Sequence, residues 1–284
     1  MEMMFPAYFK LSVVFVLGAI IGSFFNVCIY RLPREEDIVF PSSRCPHCNE
    51  NIKPWENIPL ISYMFLLGKC SKCRKQIDFR YFLVEFLTAV FFAYSFYLNG
   101  FAVNAVFVQS VILYSVLVIT FFIDLDYQFI FVDLLYYGAF AGLILSFFMP
   151  VDFYFCFINN FEFAVKLQPG LVNFINALSG GILGYLFFFA IRGISSFMAK
   201  QEAMGMGDVQ LAFFIGIFLG INNSLLSYFI SFFLGGMYSI PQLLLKKKNM
   251  KDAVAFGTFM SIGAVISLFW GRQIIYWYFN FGKF

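Results

Sequence analysis

The sequence predicts an all-α polytopic membrane protein of about eight transmembrane helices, with a small cytoplasmic zinc-ribbon-like insertion between the first two. Three observations carry that prediction. Of the 284 residues, 61% are hydrophobic and only 12% charged, against about 25% charged in average soluble domains. The apolar residues fall into runs of roughly 20, the length that ~30 Å of hydrocarbon requires. A polar stretch, residues 31–80, interrupts them and holds two C-x2-C pairs.

The first span covers Tyr8 to Tyr30, and with no small-residue cleavage site it reads as a retained helix, not a removed signal peptide. After the polar stretch, spans are expected near Tyr81–Leu98, Phe101–Ile123, Tyr127–Met149, Leu171–Ile191, Gly205–Ile221, Leu225–Leu245 and Val254–Tyr276. The sixth is the shortest and crosses only if it begins at its glycines, which puts Asp208 near a membrane face. Gly18/Gly22, Gly180/Gly184 and Gly216/Gly220 are each four apart, a spacing that lets helices pack closely. The expected domains are the first helix (1–30), a cytoplasmic four-cysteine zinc-binding domain (31–80) and a seven-helix membrane domain (81–284).

Lys and Arg set the orientation. Fifteen of the nineteen fall in residues 31–80 and in the loops after the fifth and seventh spans. Those segments are therefore expected in the cytoplasm, together with the turn holding Asp124 and Asp126 and the loop leading to Asp208.

Cys45, Cys48, Cys70 and Cys73 form C-x2-C, 21 intervening residues, C-x2-C. Two such knuckles make a tetrahedral thiolate cage for a structural zinc ion. A pair of disulfides is the competing reading, and a reducing cytosol disfavours it. His47, the only histidine, reads as solvated or as a support for the ligands, Cys28 as core and Cys156 as unpaired. One histidine leaves no serine–histidine triad and no histidine-based zinc hydrolase.

Carboxylates remain. "FFIDLDYQFIFVD" places Asp124 and Asp126 in a tight turn between spans three and four, with Asp133 just inside span four. "GMGD" places Asp208 at the start of span six. Ionisable groups in membrane segments are functional candidates by default, although a solvated interface residue is the plain alternative for Asp126 and Asp133. Gly205 and Gly207 let another backbone approach Asp208. A second Asp within reach would form a proton-sharing dyad of the aspartic-protease kind, and residue chemistry alone leaves its partner open.

With these residues in place, the sequence resembles the type IV prepilin peptidases, polytopic G-x-G-D aspartic proteases. "GSFFNVCIYRLPRE", "RCPHCNENIKPWENIPLISYMFLLGKCSKCRKQIDFRYFLVE", "FIDLDYQFI", "EAMGMGDVQLAFFIGIFLG" and "VAFGTFMSIGA" are similar to family blocks in the family's order. The resemblance implies Asp124 and Asp208 as the catalytic aspartates, with Asp126 the fallback. It implies removal of a basic leader from prepilins or pseudopilins at the cytoplasmic face of the bacterial inner membrane. N-methylation of the new N-terminus by S-adenosylmethionine would follow. Zinc would sit on the four cysteines; no residues are assigned to S-adenosylmethionine, and Glu56 and Glu85 stay open between cofactor contacts and salt-bridge partners. The expected partners are the prepilins and membrane lipid, not nucleic acid. Glu35, Glu36 and Asp37 offer an acidic surface to a basic leader, or are a solvated turn. The sequence departs from the family pattern at Phe131 and Val132, where Pro is usual, at Gln210, where Lys is usual, and at Ala203, where Gly is common. Two other readings compete: a proton-coupled transporter, which needs mid-membrane carboxylates, and a non-enzymatic scaffold with a zinc ribbon.

Overall fold

The computed structural model describes residues 6–40, 42–150, 168–199, 204–245 and 254–280. Cys156, Ala203 and most of the loop lysines used for orientation lie outside these residues. Helices account for the regular structure: α1 (Ala7–Arg31), α2 (Ile61–Phe65), α3 (Phe79–Leu98), α4 (Ala105–Tyr127), α5 (Val132–Ser146), α6 (Pro169–Ala199), α7 (Met206–Leu244) and α8 (Phe256–Asn280). Among the described residues the only β pairing is two isolated bridges, Arg44 with Asn51 and Lys69 with Gln76. The chain divides into two compact units, Met1–Val111 and Ile112–Phe284, with the division inside α4.

In the first unit α1 packs on α3 through the small residues that the four-residue spacing marked. A methyl group added at Gly18 would fall 2.8 Å from Ala89 Cα, and one at Gly22 2.8 Å from Glu85 Cα. The two backbones therefore touch, as close-packed membrane helices require. Asp78 caps α3, accepting from the Arg80 amide at 2.8 Å. Cys28 is buried, as expected for a core thiol.

In the second unit α6 crosses α7 backbone to backbone at Gly180 and Gly216. Phe188, Phe214, Phe218 and Tyr228 are fully buried in this unit, Phe214 and Phe218 against Gly138 and Gly142 of α5. The Tyr228 hydroxyl donates to the Ala212 carbonyl at 2.7 Å, tying the second half of α7 back to the first.

Among the described residues six helices have the length and composition to cross a membrane: α1, α3, α4, α6, α7 and α8. Every expected span lands on a helical segment, with two adjustments. The fourth is realised as the 15-residue α5, shorter than the ~20 residues a full crossing needs. The sixth and seventh are the two halves of α7, separated at Gly220, whose φ of 68° and ψ of −177° are not helical. That combination is essentially restricted to glycine. Gly220→Ala is expected to destabilise the protein by about 1–3 kcal/mol, read as a lower thermal midpoint in detergent; an unchanged midpoint would contradict the break.

Candidate active site and thiolate cluster

The site in the second unit is assembled from three helix ends. Asp124 lies in the last turn of α4, not in a loop: α4 runs on to Tyr127, and the Gln128 amide still reaches the Asp124 carbonyl at 2.8 Å. The expected tight turn begins only at Gln128, whose φ is 52°. The reversal is displaced because the helical ladder tolerates Leu125, Asp126 and Tyr127, whereas the left-handed residue 128 ends it.

Asp124 is 4% exposed. Its Oδ2 accepts the Thr258 amide at 3.0 Å, and the Gly257 amide also donates to the carboxyl. These are the second and third residues of α8, where orphan amides normally find an N-cap side chain. Ala255 at the cap position has no acceptor in its side chain, so Asp124 caps α8 from α4. Asp208 is the third residue of α7, half-buried, and its carboxyl accepts the Gly205 amide just before the helix. That is one half of a capping box. The helix ends that bear these two carboxyls, 84 positions apart in sequence, meet at Ile130.

Ile130 wedges the arrangement. A methyl at Gly207 would fall 2.9 Å from Ile130 Cβ; a methyl at Gly257 would fall 2.9 Å from Asp124 Oδ2 and 3.1 Å from Ile130 Cδ1. Both glycines are therefore required by close approach. Gly257→Ala must move the Asp124 carboxyl or the wedge. It is expected to cost about 1–3 kcal/mol of stability, read as a lower thermal midpoint in detergent.

Asp126 and Asp133 are exposed. Gln210 donates its amide to the Tyr136 hydroxyl at 3.1 Å, so the position where Lys was expected ties α7 to α5. The Asp37 carboxyl accepts the Val39 and Phe40 amides at 2.7 and 3.0 Å, which hold its pKa below the ordinary carboxylate value. It closes its own turn, while Glu35 and Glu36 are exposed.

In the first unit the four expected cysteines converge. Their Sγ atoms all lie within 4.8 Å of one another, and those of Cys45 and Cys73 are 3.9 Å apart. A tetrahedron with Zn–S of about 2.3 Å has sulfurs about 3.8 Å apart, whereas a disulfide needs about 2.05 Å. All four are unbridged thiols. Each knuckle repeats one backbone pattern. The amides of Cys45 and Cys70 bond the Glu50 and Lys75 carbonyls, and the amides of Asn49 and Arg74 return to the Cys45 and Cys70 carbonyls. Asn49 and Arg74 share a left-handed φ of 58° and 59°. Four soft donors in this array fit zinc with no open position. His47 is exposed and outside the cluster.

Comparison with known proteins draws the two units together. Residues 16–98 match the bacterial peptidase A24 N-terminal domain, and residues 111–240 match the type IV leader peptidase family. A prepilin leader peptidase/N-methyltransferase of Pseudomonas aeruginosa is 30% identical, with 98% of this chain and 96% of the relative covered. The chain belongs to the type IV leader peptidase family. Similarly named proteins of Stutzerimonas stutzeri and Pseudomonas putida are 31% and 30% identical, each covering 93% of the relative and 94% and 95% of this chain. No solved structure matches the chain significantly. The boundary between the two matched regions of this leader-peptidase chain falls where its compact units divide. The Gly257 and Thr258 amides lie beyond residue 240; "VAFGTFMSIGA" signalled a glycine-rich block there, but not that its amides would meet Asp124.

Proposed function

We propose that this chain is an aspartic endopeptidase of the bacterial inner membrane that removes the basic leader of type IV prepilins or pseudopilins and then N-methylates the new N-terminus. Asp124 and Asp208 are the catalytic pair, residues 81–284 form the peptidase domain, and the pair and residues 31–80 face the cytoplasm. The observation that carries this reading is that the helix ends bearing the two carboxyls converge on Ile130: Gly257, beside Asp124, and Gly207, next to Asp208, both pack against it. Placement at helix ends also favours a peptidase over a proton-coupled transporter, whose carboxylates belong at mid-span.

The chemistry follows from two carboxyls sharing a proton. The ionised one takes a proton from water as the water oxygen bonds to the scissile carbonyl carbon. The protonated one donates to the carbonyl oxygen. Collapse of the tetrahedral adduct breaks the C–N bond as a carboxyl returns a proton to the leaving amine. The Gly257, Thr258 and Gly205 amides fix where the carboxyls point, and Ile130 keeps their helix ends in register.

Cys45, Cys48, Cys70 and Cys73 would hold a structural zinc ion, which supplies cohesion to residues 31–80. S-adenosylmethionine would supply the methyl group. The cavity of about 590 Å³ between α1 and residues 54–61 does not fit that donor: Ser23 and Asn57 are its only polar side chains, too few for ribose, ammonium and carboxylate groups. Incubating membranes with a model prepilin tests the reading. Leader loss and a further ~14 Da on the mature product, a methyl group transferred by a cofactor, are expected; an intact prepilin would overturn it.

A further inference from the structure

The lobe that carries the thiolate cluster also carries an apolar spike. Trp55, Ile58, Ile61, Met64, Phe65 and Leu67 are all exposed, with Trp55 at 65%, Phe65 at 84% and Leu67 at 81%. Contiguous exposed apolar side chains of this size mark an interaction surface. Between residues 53 and 75 five cations, Lys53, Lys69, Lys72, Arg74 and Lys75, stand against a single acid, Glu56. All five are exposed. Lys53 Nζ lies 5.3 Å over the Trp55 ring.

What covers the spike follows from its continuity with α1. Ile58 and Ile61 share the wall of the 590 Å³ groove with Val16, Ile20 and Phe24. Those three are the exposed face of a membrane span, and such a face meets hydrocarbon. The groove thus runs from a lipid-facing helix onto the lobe, with Ser23 and Asn57 its only polar side chains.

The spike is also held rigidly. The Leu60 amide donates to Glu85 Oε2 on α3 at 2.8 Å, and the Ser23 hydroxyl of α1 bonds the same carboxyl. Leu60 has φ 62° and ψ −49°, and the Ile61 amide reaches the Pro59 carbonyl at 2.6 Å. This is a strained γ-turn, a conformation that persists only where its surroundings impose it. Glu85 and Ser23 impose it, setting Ile58 and Ile61 beside α1.

We propose that residues 54–67 insert into the leaflet on the lobe's side of the membrane, with Trp55, Phe65 and Leu67 among the acyl chains and the lysines on anionic headgroups. Amphipathic apolar-and-basic elements bind membranes in this way, and each basic residue near an anionic surface adds to the attraction. This proposal assumes nothing about catalysis.

Trp55 is one of three tryptophans, so Trp270→Phe with Trp277→Phe leaves it as the only one. The full chain carrying both changes is placed in nanodiscs of phosphatidylglycerol and phosphatidylcholine, one chain per disc. Lipid spin-labelled at the fifth acyl carbon is expected to remove most of the Trp55 emission, and aqueous acrylamide little of it. Adding Lys69→Glu, Lys72→Glu and Lys75→Glu is expected to reduce the lipid quenching in anionic discs at unchanged helix content. The reverse order of quenchers would overturn insertion. Shielding from acrylamide that appears only with two chains per disc would assign the spike to a contact between copies and overturn it too. Equal lipid quenching in the lysine variant would overturn the role of anionic headgroups.

Discussion

Asp208→Asn abolishes leader cleavage, with turnover falling at least about 10³-fold, while the protein remains folded. Asn keeps the size of Asp and can still accept the Gly205 amide, so the start of α7 survives. What it loses is the ability to take or give the carboxyl proton. Asp124→Asn is expected to behave alike, because its side-chain oxygen can still accept from Gly257 and Thr258. Asp124→Ala adds a second effect: without the cap on α8, stability falls by about 0.5–2 kcal/mol. The exposed Asp126 and Asp133 serve as controls, and Asn at either is expected to leave cleavage within about twofold, the range of ordinary surface substitutions. The measurement is processing of a model prepilin by membranes bearing each variant, with product masses read directly. Full cleavage by Asp208→Asn would sink the dyad.

Cys45→Ser or Cys70→Ser empties the thiolate site and unfolds the lobe around it. Between residues 42 and 77 the buried residues are Cys45, Gly68 and Cys70, so the cluster is nearly all the core this lobe has. Structural zinc contributes about 10–16 kcal/mol in small zinc-finger peptides, far more than two isolated bridges and a five-residue helix can supply. Metal analysis is expected to show one zinc per wild-type chain and almost none in the variants, with chelated wild type matching them in protease sensitivity across 42–77. Methylation should fall by at least about 10-fold, the scale seen when a metal site is disturbed, while cleavage by the carboxyl pair continues. A Ser variant that keeps its zinc would refute the ligand set.

Much of this was legible because it depends on local chemistry. The apolar runs had to be helices, since backbone polar groups in hydrocarbon must bond within their own segment. The glycines at 18, 22, 180, 184 and 216 each lie at a backbone crossing, as their spacing proposed. The C-x2-C pairs announced a four-thiolate cluster because few other uses need that spacing. Where helices end was less accessible. Asp124 and Asp126 looked like turn residues because Asp is common in turns, yet α4 carries both.

The sequence by itself determined an all-helical membrane chain, its thiolate cluster and the short set of carboxylates from which a catalytic pair could come. Only the tertiary structure decided which carboxyl of α4 turns toward the other helix ends. Asp124 and Asp126 are two residues apart in one helical turn and so point to different sides of α4. Packing buries the first against the start of α8 and leaves the second exposed. That choice rests on contacts between residues more than a hundred positions apart, such as Asp124 with Thr258, and local periodicity carries no information about them.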